Sequence, residues 1–255
     1  MSNVSKRRLW TRPEQVKALE LYLRTPFGRI HNKNPDIIAL AKRIGRTSSA
    51  LSLKMVNFAA LDPTIHQKGM DGFSKSDAAI WSEFFSAPSS FLEKISDESV
   101  GDNGANLNYE QPSFDEFLFE VREGADVLRT VKTRQNQSYF RKMLLVSYGG
   151  KCGLTGIAHP ELLTASHIKP WASDQEARMD PRNGILLNSL HDRAFDKGMI
   201  TFEDDLSLVV SKHLDLPHNS KPFFSERVLN RPERFAPNPT YLKYHRDVIF
   251  ESFVT

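Results

Sequence analysis

A chain of 255 residues has room for one large domain or two modest ones, and its 40% hydrophobic and 25% charged content is that of an ordinary globular protein. No apolar run approaches the roughly 20 residues needed to cross a bilayer, so a membrane role is not expected. The polar, basic stretch Met1–Arg12 lacks the apolar core of a secretory signal. The single cysteine, Cys152, excludes an intrachain disulfide and agrees with a reducing, cytoplasmic location.

The net charge of +3 conceals a segregation. Residues 1–60 hold twelve Lys/Arg against three Asp/Glu, whereas residues 61–129 hold five against fourteen. A basic block attracts polyanions, because release of counterions drives non-specific binding to nucleic acid. The alternative is a solvated basic face with no ligand.

Thr11 followed by Pro13 reads as a helix start, with Val16, Leu19, Leu21, Tyr22 and Leu23 at helical spacing until Pro26-Phe27-Gly28. A second helix begins at Pro35 after Asn34 and closes at Gly45. A third opens at Arg46-Thr47-Ser48-Ser49 and runs through Lys54, Met55 and Phe58. This order is that of a helix-turn-helix, whose second helix would offer Arg46, Thr47, Ser48, Ser49 and Lys54 to DNA. Three-helix arrangements also serve as packing or protein-docking modules.

Beyond Pro63 the signals weaken. A short helix is expected at Asp77–Phe85, Ser86-Ala87-Pro88-Ser89-Ser90 reads as punctuation, and the Asn- and Gly-rich stretch Ser96–Gln111 reads as a linker. Phe114, Phe117, Leu118 and Phe119 restart an element of undefined type. The expected organisation is therefore a basic helical module at 1–65, an acidic connecting region at 66–128 and a C-terminal domain at 129–255, an α+β chain overall.

In the last of these a helix at about 133–146 precedes the turn Gly149–Gly153. A strand at Leu162–Ala165 leads to Ser166-His167, and a polar loop at 172–182 leads to a second strand at Ile185–Leu187. A helix at about Ser189–Asp196 and a hairpin (Met199–Phe202 and Leu206–Val210) follow, then a proline-rich tail and an amphipathic stretch, Tyr241–Phe253, which could be a dimer interface or core.

Four segments carry chemistry: Cys152-Gly153-Leu154-Thr155-Gly156, Ala165-Ser166-His167-Ile168-Lys169-Pro170-Trp171, Asn183-Gly184-Ile185-Leu186-Leu187, and Leu190-His191-Asp192-Arg193-Ala194-Phe195-Asp196 closing at Gly198. Their residues and order resemble the HNH endonucleases, over about residues 130–215. The resemblance implies a ββα-metal core, hydrolysis of DNA phosphodiester bonds with one divalent cation per site, and the setting of bacterial restriction or anti-phage defence. It implies His167 as general base, since a neutral imidazole can take a proton from attacking water. It makes Asn183 the residue that orients the loop presenting His167, and gives His191 a part in holding the cation.

Nine positions after Asn183, where many family members bind metal, stands Asp192 rather than His191. Carboxylate suits Mg²⁺, while imidazole suits Zn²⁺ or Ni²⁺; Mn²⁺ is a further candidate. Ser166 takes the place of a stronger ligand. Asp196 either supports the ligands or caps the Gly198 turn. Arg178, Arg182 and Arg193 are candidates for phosphate contact or simple surface charges, and Trp171 and Phe195 read as core. Thr155 stands where a C-x-x-C pair would place its second cysteine, so a four-cysteine structural zinc is excluded. Two further readings stay open: a DNA-binding regulator with a degenerate nuclease fold, and a nuclease directed to its target by a partner.

Overall fold

The computed structural model describes residues 8–65, 72–99, 125–225 and 227–254. The element expected around Phe114–Phe119 and most of the expected linker lie outside the described residues. What is described is mixed: eight α-helices and two two-stranded antiparallel sheets.

Helix α1 (Arg12–Leu23) starts where Thr11 and Pro13 direct it, and the Glu14 carboxylate accepts the Thr11 N–H at 2.9 Å. In α2 (Pro35–Arg43) the Asn34 side chain caps Asp36 N–H, and in α3 (Ser48–Ala59) Thr47 caps Ala50 N–H. Between them Gly45 takes φ +63°, the left-handed turn that only glycine adopts without penalty. Helix α4 (Lys75–Ser86) is longer than the short helix expected there. Helix α5 (Pro88–Ser99) overturns the punctuation reading of 86–90 and the start of the linker at Ser96. Pro88 opens the helix, where its missing N–H costs nothing.

These helices share one core with the C-terminal tail. Tyr22, Phe58, Trp81, Phe85 and Phe235 form an aromatic cluster with centroid separations of 4.7–6.5 Å. Arg234 from the tail is 1% exposed. It donates to the Tyr22 and Thr25 carbonyls at 3.0 and 2.8 Å, lies 3.9 Å over the Tyr22 ring, and faces Asp62 at 3.5 Å. The N-terminal helices are thus built into the same body as the C-terminal half.

Two of the helix-turn-helix residues prove to be internal. Arg46 donates to both Glu14 oxygens and to the Arg8 and Leu9 carbonyls, and stacks 4.6 Å over Trp10. Lys54, 5% exposed, pairs with Asp77 of α4 at 2.8 Å, and Gln15 completes that pair. The reason is the same in both places: a buried helix-capping carboxylate needs a counter-charge. Burial pushes Glu14 up, but Arg46 and the Thr11 N–H outweigh it and hold the carboxyl at about 2.

Helix α6 (Ala125–Ser147) runs along one face of an antiparallel hairpin, β1 (Leu163–His167) and β2 (Gly184–Asn188), and α7 (Ser189–Asp196) packs against both strands. A second hairpin follows, β3 (Ile200–Phe202) and β4 (Leu208–Val210). The expected amphipathic stretch at 241–253 is broken. Helix α8 (Pro239–Tyr244) passes into a π turn at His245–Ile249 and then reverses at Glu251, φ +60°. The break lets the Ile249 carbonyl sit where a Cβ on Gly198 would be, and lets Glu251 N–H bond Gly198 O at 2.9 Å.

His245 lies flat on Phe195 at 3.7 Å; its Nε2–H donates to Phe195 O and its Nδ1 accepts from Thr201. Burial lowers it from 6.5 to about 4, against the opposing bond to Phe195. The unfolded chain takes up this proton first, so stability is full above pH 6.5 and falls on acidification to about pH 4. The expected loss is about 3 kcal/mol. Urea denaturation at pH 7 and pH 4 should show that fall, and His245→Gln should reduce it by about the same amount.

Candidate functional site

Gly184 sets the geometry of the site. A Cβ there would stand 2.5 Å from Leu144 Cδ1 and 2.6 Å from Phe140 Cζ, both on α6. Gly184 is the cross-strand partner of His167, and paired residues share a face of a sheet. His167 therefore projects toward α6, where its ring stacks on Phe140 at 4.0 Å and 9° and meets the edge of Trp171 at 5.4 Å. Its Nε2 lies 3.0 Å from the Arg178 carbonyl. A carbonyl only accepts, so Nε2 carries the proton and Nδ1 is left with its lone pair. Burial, opposed by that bond, lowers the affinity of the ring for a second proton.

The loop that supplies this carbonyl is braced by Asn183. Its Nδ2 donates to Lys169 O and Ala177 O at 3.1 and 3.0 Å, and its Oδ1 accepts from Lys169 N–H at 2.8 Å. Asp174 closes the loop from within, accepting from Lys169 Nζ and from the N–H groups of Glu176 and Ala177. Arg178 donates Nε–H to Trp171 O at 2.6 Å and stacks 5.3 Å over that ring, so a guanidinium stands beside His167.

Neighbouring residues of a strand point to opposite faces. Ser166 accordingly projects toward α7, on the side where Asp192 lies. Burial raises Asp192; the nearby charge of Asp196, one helical turn on, adds to this, and the Ser166 hydroxyl opposes it. The position thus offers two carboxylates whose mutual repulsion a cation would relieve. These are hard oxygen donors of the kind Mg²⁺ accepts, with room in an octahedral shell for water and phosphate oxygens. No cluster of three or more His, Cys, Asp or Glu occurs among the described residues.

His191 is placed differently from the expectation. It is fully buried, its Nε2–H donates to Phe223 O at 2.8 Å, and its Nδ1 lies 3.0 Å from Asn188 Oδ1. With the ring proton given to the shorter contact at Phe223 O, His191 is enclosed by protein on its Nε2 side, and its backbone N–H donates to the Asn188 cap of α7. The other candidates separate as well. Arg182 is taken up by Asp180 at 2.7 Å and stacks 4.4 Å over Phe85, while Arg193 is exposed, 3.8 Å from Asp196. Thr47 and Ser49 lie exposed at the start of α3, Ser48 half-buried beside them, on the N-terminal helices.

Phe140 and Asp174 escaped the sequence reading. A phenylalanine at helical spacing reads as core, and Asp174 shows only a loop aspartate two residues before Glu176. The Asn183 side chain joins backbone groups 6 and 14 residues away, which no local pattern displays.

Gly184→Ala tests the close approach of β2 to α6. Overpacking of this kind costs about 1–3 kcal/mol, so a lower melting temperature is expected, together with a changed near-ultraviolet signal from Trp171 as His167 is displaced. Wild-type stability would contradict the geometry.

Residues 152–203 match the family model described as HNH endonuclease. Among curated proteins none matches the chain. The matched stretch contains the 152–156 turn, both strands of the hairpin, the Asn183-braced loop, α7 and β3. Over these residues, in its C-terminal half, the chain is similar to HNH endonuclease domains.

Proposed function

We propose that the protein is a divalent-cation-dependent DNA endonuclease in which His167 is the general base. The observation that carries this reading is the His167 ring, kept neutral by burial and held with Nε2–H on the Arg178 carbonyl, which leaves Nδ1 free to take a proton from water. Phe140 and Trp171 fix the ring on two sides, so little reorientation is needed when the attack begins. Asn183 keeps the loop, and hence the carbonyl, in register. The free edge of the Arg178 guanidinium, beside the base, binds a phosphate oxygen.

Asp192 and Asp196 would hold the cation, whose contribution is to neutralise charge developing on the leaving 3′ oxygen. Ser166 faces Asp192, and His191 supports the start of α7 through its bonds to Phe223 and Asn188. Arg193 is an exposed candidate for contact with flanking phosphate.

The N-terminal surface favours backbone rather than base contact. With Arg46 and Lys54 internal, exposed cations gather at Arg29, Lys33, Lys42 and Arg43, on and before α2, while Thr47 and Ser49 offer only hydroxyls. Phosphate contacts of this kind give affinity without sequence reading. The same neutral face of α3 favours a second reading, a nuclease directed to its target by a partner.

His167→Ala and Asp192→Asn should each reduce nicking of supercoiled DNA in Mg²⁺ to background. Calorimetric Mn²⁺ binding should be lost in Asp192→Asn and kept in His167→Ala. Cutting by His167→Ala at the wild-type rate rules out the general-base role. Lys42→Glu with Arg43→Glu should weaken DNA binding and flatten its dependence on salt, by about one to two in the log–log slope; an unchanged slope favours the partner-directed reading. If the defence setting implied by the resemblance is right, the wild-type gene but not His167→Ala should lower plaque counts in a bacterial host.

A further inference from the structure

The corner between α4 and α5 grips the loop that holds the candidate base. Ser89, 7% exposed at the start of α5, donates its hydroxyl to Gln175 O at 2.6 Å. Ser90 gives both its N–H and its hydroxyl to the Glu176 carboxylate. Glu176 thereby satisfies an open N–H of a helix 86 residues away in sequence, at the end where a negative charge is most stable. On the far side of the loop Arg182 donates to Phe85 O, the last turn of α4, and stacks on its ring.

We infer that Glu176 and Ser89 are positioning residues that fix the Arg178 carbonyl, and through it the tautomer and orientation of His167. The inference rests on His167 being the general base. Arg178 is two residues from Glu176 and one from Ala177, whose carbonyl Asn183 holds. The carbonyl at 3.0 Å from His167 Nε2 is thus pinned from the catalytic side by Asn183 and from the opposite side by α5. Asn183 and Asp174 hold the loop from within; the Ser89 and Ser90 bonds hold its 175–176 flank from outside. A shift of about 1 Å at the base is enough to cost up to about 100-fold in rate.

The test uses the full chain labelled with ¹⁵N-histidine, as wild type, Glu176→Ala, Glu176→Gln and Ser89→Ala, with melting temperatures measured alongside. The wild-type His167 ring should give the spectrum of an Nε2–H tautomer. Glu176→Ala should show mixed tautomers, and kcat for Mg²⁺-dependent plasmid nicking should fall by about 10- to 100-fold with KM little changed. Glu176→Gln, which keeps an acceptor oxygen for Ser90, should restore both. Ser89→Ala should show the same changes in smaller degree, and it carries the test if Glu176→Ala unfolds below the assay temperature. Wild-type ring spectra and wild-type kcat in Glu176→Ala and Ser89→Ala overturn the inference. So does failure of Glu176→Gln to restore them in a stably folded protein. Should the wild type itself not nick DNA, the general-base reading falls while the ring spectra still decide whether Glu176 sets the tautomer.

Discussion

The candidate site depends on one steric condition: β2 must begin with a residue that has no side chain. Gly184 lets α6 come within contact of the strand, and only that approach brings Phe140 under the His167 ring. Everything else about the ring follows. The ring cannot tilt, its Nε2 reaches one carbonyl, and the loop bearing that carbonyl has to be folded back over it. Asn183, the residue before the glycine, does the folding with three hydrogen bonds. Two neighbouring positions therefore perform distinct tasks, one by lacking atoms and one by placing them.

A second feature of the domain is how it manages without a metal knuckle. Cys152 and Thr155 turn toward the end of β2. There the Asn188 N–H meets Cys152 Sγ at 3.2 Å and the Asn188 Nδ2 meets Thr155 Oγ1 at 3.2 Å. Asn188 Oδ1 then caps α7 at His191 N–H. Hydrogen bonds through Asn188 thus join Cys152, Thr155 and His191 at one corner, and burial of these polar groups in satisfied pairs holds it together.

Much of the fold was legible because local signals and tertiary structure agree. Thr11, Asn34 and Thr47 stand at real helix starts, Gly45 at a real turn, and the short apolar runs around Leu163 and Ile185–Leu187 in real strands. The failures at charged residues have one physical origin: partners distant in sequence. Arg46 and Lys54 read as groove-facing cations because Glu14 and Asp77 lie 32 and 23 residues away. Pro88 read as punctuation because a proline in a run of small residues looks alike in a loop and at the first turn of a helix. In the site, the motif located His167, Asn183 and the α7 carboxylate, but the function of Asn183 and the engagement of His191 by Phe223 appear only in three dimensions.

Arg234 carries a last consequence. Its guanidinium, sealed between the Tyr22 and Thr25 carbonyls and Asp62, welds the tail of the nuclease half to the first helix of the chain. Tyr139 of α6 adds a bond to Glu20 O. Among the described residues, the first helix and the His167 site are therefore parts of one packed body, and a change at Arg234 or Asp62 would be felt at both ends of the chain.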